Sequence, residues 1–126
     1  DGENLAAAPI ERILLRCERI SQVAVYAVPD PRVGDQVMAA VVLNDGAELT
    51  PAEFGAFLAE QQDLSPKAWP SYVRINATMP QTATNKILKR ELITAGVTAD
   101  GGLLWERPGR DRSYALVAEG ARSVSV

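Results

Sequence analysis

The chain has 126 residues, 47% hydrophobic and 23% charged, with a formal net charge of −3; that is the balance of one globular domain able to bury a core without staples. Mild acidity gives a nucleic-acid partner no support from bulk charge. With no histidine and one cysteine, Ser-His-Asp and Cys-His catalysis, His-ligated metals and an internal disulfide are all excluded from the chain itself, as suits a reducing compartment.

A helix is expected first, because Ile10, Ile13, Leu14, Cys17 and Ile20 recur at three- and four-residue spacing. Pro9 fits its first turn, where a missing N–H costs nothing, and Cys17 on the apolar stripe reads as a small core residue. Val23 to Val28 is β-rich and stops at Pro29-Asp30-Pro31; Val37 to Leu43 reads as a second strand closed by Asn44-Asp45-Gly46. The loop between them is short enough for antiparallel pairing. Thr50-Pro51-Ala52-Glu53 has the form of a capping box at a helix start, and Phe54, Phe57 and Leu58 give that helix an inward face. Lys67-Ala68-Trp69-Pro70 marks a bend, and Tyr72-Val73-Arg74-Ile75 alternates as a short strand with Val73 and Ile75 on one side. A small-residue loop from Met79 to Lys86 follows, then a short helix from Ile87 to about Ala95.

The fold class expected is α+β: a small three-stranded sheet, containing the antiparallel pair, packed against helices. Residues 1–95 form the domain. Residues 96–126, with Gly101-Gly102, Pro108-Gly109 and alternating charges, read as an irregular extension, packed on the domain through Leu103, Leu104, Trp105 and Tyr114 and partly disordered at its end. No apolar run approaches ~18 residues, so no transmembrane segment is expected. The chain opens at Asp1-Gly2-Glu3-Asn4, with no signal-peptide pattern and no initiator Met, and reads as a piece of something longer.

One loop concentrates chemistry. Thr82, Thr84, Asn85 and Lys86 set hydroxyls, an amide and a cation just before a helix, where free N–H groups and the helix dipole favour an anion. Lys86 adds a mobile point charge suited to phosphate and carboxylate oxygens. Read without further information, such a cluster is more often a solvated face, and Lys89 and Arg90 read as solvated helix charges.

Three segments in register change that weight. Gly2-Glu3-Asn4-Leu5, Ile10-Glu11 with the Pro29-Asp30-Pro31…Gly34-Asp35 loop, and Pro80 to Leu92 together resemble the C-terminal domain of the adenylate-forming enzymes. That superfamily includes acyl-CoA synthetases, peptide-synthetase adenylation domains and firefly luciferase. Pro80 to Leu92 is similar to the closing motif P-x-T-x-(T/S)-G-K-(I/V)-x-(R/K)-x-x-L. The resemblance implies an ATP-dependent acid–thiol ligase whose large N-terminal domain, the partner of this one, binds ATP with Mg2+ and the carboxylic acid. The small domain rotates between two poses. In the first, Lys86 assists acyl-adenylate formation, with Thr82, Thr84 and Asn85 as its supporting loop. In the second, Gly2 and Glu3 line the approach of the CoA thiol.

Asn85 departs from the motif's Gly, and Asn is the residue that best replaces Gly at a left-handed position. The Gly101 to Arg107 and Tyr114 to Leu116 segments resemble the extension of fatty-acid transport protein and very-long-chain acyl-CoA synthetase relatives, which implies a long-chain fatty acid. The resemblance further implies a cytoplasmic location, free or peripheral at the membrane. Without its partner domain the chain is expected to be inactive. A catalytically silent binding or regulatory module of the same fold is the alternative, and an unrelated α+β interaction domain stays open as a third reading.

Overall fold

The computed structural model describes residues 7–30, 32–109 and 111–119. Among them the elements run α1 (Ala7–Leu14), β1 (Ile20–Val28), β2 (Gln36–Leu43), α2 (Pro51–Ala59), β3 (Tyr72–Ile75), α3 (Lys89–Ala95), β4 (Leu103–Glu106) and β5 (Ala115–Glu119). The α+β class holds, and the sheet is larger than the sequence implied. It has five strands, in the order β1-β2-β3-β4-β5, where three strands and an irregular extension were expected. Two of the five come from beyond residue 96.

Strand β1 pairs antiparallel with β2 over Ile20↔Leu43 to Val28↔Gln36, as the short connection requires. Strand β3 is parallel to β2, with Ala39 opposite Val73, which obliges the crossover that α2 supplies. Strand β4 then adds antiparallel to β3, and β5 antiparallel to β4. Alternation along each strand divides the apolar residues between two cores. On one face Val23, Val25, Val41, Val73 and Trp105 pack with Ile10, Ile13 and Leu14 of α1 and Phe54 and Leu58 of α2. On the other, Tyr26, Met38, Tyr72 and Leu104 pack with Leu92 of α3 and with Met79. Both sheet faces are covered, so β1 and β2 are nearly continuous apolar runs.

Local signals account for the helix ends. Thr50 Oγ1 accepts from Glu53 N at 3.1 Å and Glu53 Oε1 accepts from Thr50 N at 2.9 Å, the reciprocal pair foreseen for α2. Helix α1 is shorter than its apolar spacing predicts: Cys17 lies in the turn that follows, and Ile20 opens β1. Both are buried against the α1–α2 core all the same. The aromatic side chains of the last third belong to that core too. Tyr114 meets Phe54 edge-on at 5.1 Å between centroids and donates to Pro70 O at 2.6 Å; burial raises its pKa above the usual phenol value.

Candidate functional site

The loop carrying Lys86 is a small hairpin standing on the α3 face of the sheet. Its base is closed by Leu88 N donating to Pro80 O at 2.8 Å, and Gln81 and Ile87 form an antiparallel bridge above it. Thr82 N donates to Lys86 O and Asn85 N to Thr82 O, both at 2.9 Å; Lys86 N donates to Thr82 Oγ1 at 3.0 Å. The Thr82 and Thr84 hydroxyls lie 3.0 Å apart, and Gln81 Nε2 reaches Asn85 O at 3.2 Å. This is a turn followed by one left-handed residue, a common way to close a short hairpin. The left-handed residue is Asn85, with φ of 68°. Asn therefore supplies a left-handed residue at the position where the closing motif has Gly.

Two expectations are corrected by this geometry. Helix α3 starts at Lys89 rather than Ile87, and Leu88 at its N-cap makes no side-chain capping bond. The N–H groups of Thr82, Asn85 and Lys86 are spent inside the hairpin, so the anion cradle read from the sequence is not formed by them. What the loop offers instead is a fixed backbone under an exposed cation. Met79 and Leu92, both buried in the second core, hold the two legs of the hairpin. Lys86 itself is exposed, and among the described residues its ammonium forms no ion pair. Lys89 differs from the solvated charge expected: its Nζ lies 2.9 Å from Glu11 Oε2. Gly2 and Glu3 lie outside the described residues.

The sequence pattern did not reveal Arg74. It is fully buried, donating Nε to Asn76 Oδ1 at 3.0 Å and Nη1 to Gly96 O at 2.9 Å. Longer contacts of 3.4 to 3.5 Å reach Thr98 O, Tyr26 Oη and Leu92 O. A cation at the C-terminus of α3 complements the helix dipole and occupies its unpaired carbonyls. Burial pushes the Tyr26 phenol up to about 12, against the pull of Arg74.

At another part of the sheet, Asp30 Oδ2 accepts from Tyr72 Oη at 2.7 Å and Asp30 Oδ1 from Arg32 N at 3.0 Å. The Arg32 backbone N–H, then the Tyr72 hydroxyl and the Arg32 side chain, hold the Asp30 carboxyl below its usual range. This network latches the 29–36 loop to β3.

The profile of the AMP-binding enzyme C-terminal domain matches residues 9–86, ending on the lysine at the hairpin. The chain belongs to that family. This C-terminal domain is 58% identical over 113 residues to a medium/long-chain-fatty-acid–CoA ligase, FadD17, of Mycobacterium marinum, covering 90% of the chain and 22% of that protein. It is 53% identical over 92 residues to steroid-22-oyl-CoA synthetase of Rhodococcus jostii, covering 73% and 17%. The solved Mycobacterium tuberculosis fatty acyl CoA synthetase superposes with a TM-score of 0.61 at 27% identity, over 71% of this chain and 18% of that one. The AMP-binding enzyme C-terminal domain thus spans about a fifth of the length of the curated relatives it matches. Among its described residues no helix is long and apolar enough to cross a membrane.

Proposed function

We propose that this chain is the C-terminal domain of a fatty acyl-CoA ligase, and that Lys86 is its catalytic contribution. The observation that carries the reading is the hairpin: a braced backbone presenting one exposed cation that no carboxylate neutralises among the described residues. In adenylation a carboxylate attacks the α-phosphorus of ATP and pyrophosphate leaves, which spreads negative charge over several oxygens at once. An ammonium already placed there lowers that barrier without reorganisation. Residues 1–95 form the moving unit, and 96–119 travel with it because β4 is bonded to β3. In the second pose Lys86 leaves and Gly2 and Glu3 line the CoA thiol's path, a Gly there letting the pantetheine arm approach the backbone closely.

ATP and its Mg2+ are held by the N-terminal domain. The acid is a medium- or long-chain fatty acid, supported by the ligase 58% identical to this chain. The enzyme works in the cytoplasm or at the membrane periphery. The steroid-22-oyl-CoA synthetase, nearly as similar over the same domain, supports leaving the choice of acid to the N-terminal domain.

Lys86→Ala in the full-length ligase tests the reading. Acyl-adenylate formation is expected to fall ~10²-fold or more, while conversion of supplied acyl-adenylate and CoA to thioester changes by no more than a few-fold. Equal losses in both steps would mean that Lys86 merely holds the loop together.

A further inference from the structure

Helix α3 has seven residues and no side-chain cap at its start, yet it is the leg on which the Lys86 hairpin stands. Two turns of helix do not hold a fixed direction by themselves. Leu92 anchors its middle in the second core and Arg74 its far end. What fixes the near end, three residues from Lys86, is Lys89.

The Lys89 ammonium lies 2.9 Å from Glu11 Oε2. The same oxygen accepts from the backbone N–H of Val25 at 2.8 Å. Glu11 belongs to α1, which packs on one face of the sheet, and Lys89 to α3, which packs on the other. Strand β1 lies at the sheet edge, and Val25 is a wholly buried residue of it. The carboxylate therefore sits at the edge of the sheet, satisfies a strand N–H that β2 does not take, and grips the opposite layer through a charge-assisted bond. The partners are partly withdrawn from water, with 40% of the Lys89 side chain and 22% of the Glu11 side chain exposed, so screening is weaker than for a free surface pair.

We propose that Glu11 and Lys89 form a clasp around the β1 edge that positions Lys86 for adenylation. The proposal rests on the catalytic reading of Lys86 and adds two positioning residues to it. Neither side chain need touch substrate. Their effect passes through the direction of the first turn of α3, and misplacement of a catalytic group by ~1 Å can cost ~10²-fold in rate.

The test uses the full-length ligase and its two half-reactions. Glu11→Gln keeps an acceptor for Val25 N–H and removes the charge; Lys89→Met removes the cation and keeps most of the stem. Each is expected to lower kcat for adenylation by about tenfold with KM for ATP unchanged, while thioester formation from supplied acyl-adenylate stays within about twofold. The double variant should be no worse than either single one, because both break one contact. Lys89→Arg should restore adenylation to within about twofold.

Additive losses, equal losses in the two half-reactions, or no rescue by Arg would overturn the clasp. So would unchanged adenylation in Glu11→Gln and Lys89→Met beside a crippled Lys86→Ala, an outcome that leaves the catalytic reading standing. An undiminished Lys86→Ala would bring down both.

Discussion

Replacing Arg74 by Met tests how α3 is held. The guanidinium makes two good bonds, 2.9 Å to Gly96 O and 3.0 Å to Asn76 Oδ1, and three longer ones to Thr98 O, Tyr26 Oη and Leu92 O. An apolar replacement of a buried ion can be neutral when its partners are replaced as well. Here the partners remain. Thr98 is exposed and its carbonyl can turn to water, but Leu92 and Tyr26 are buried and their groups lose a donor. Two bonds to a charged group at about 1.5–3 kcal/mol each place the loss near 3–6 kcal/mol. Arg74→Lys should lose about half as much, since one ammonium cannot span both Asn76 and the helix end as a planar fork does. Urea unfolding of the chain reads the total, and amide exchange locates it: protection should fall first in α3 and least in the β1–β2 pair. A Met variant within about 1 kcal/mol of wild type would refute the reasoning. It would mean that the end of α3 is satisfied without the guanidinium.

Three further outcomes follow from single positions. Asn85→Gly should leave the unfolding midpoint unchanged or slightly raised, whereas Asn85→Val should lose about 1–2 kcal/mol, because a β-branched residue resists the φ of 68° that closes the hairpin. A Cβ on Gly102 would come 1.9 Å from Ile75 O and 2.7 Å from Asn76 Nδ2, so Gly102→Ala should force β4 off the end of β3 and cost about 2–3 kcal/mol in a denaturant titration. Asp30 has a lowered folded-state pKa, so its stabilisation is complete above the usual carboxylate pKa of about 4 and is lost as pH falls through the folded value. Asp30→Asn should therefore lower the thermal midpoint at neutral pH and flatten its fall in acid. The wild-type minus variant difference separates Asp30 from Glu53 and Asp63, which titrate low as well.

The sequence by itself determined whatever depends on near neighbours in the chain. The Thr50–Glu53 box spans three residues, and the αβ alternation, the β1–β2 hairpin and the left-handed Asn85 are all settled within one element or turn. The order of motifs from Gly2 to Leu92 was enough to recognise the family, whose profile matches residues 9–86. Tertiary structure decided the rest, because it set which distant segments cover which face. Alternation puts Arg74 opposite Val73 and Ile75, and nothing local says that this second face is also buried; α3 and the 96–100 turn make it so. Strands β4 and β5 are short and flanked by Gly, Pro and charge, a weak local signal. Strand β4 forms because β3 offers a free edge and Gly102 lets the backbones meet, and β5 forms on the edge that β4 then offers. Lys89 looks like a solvated charge until α1 brings Glu11 around the sheet edge to meet it. Caps and periodicity are energies of neighbours and can be read along the chain, whereas a clasp between residues 11 and 89 exists only once the sheet has brought them together.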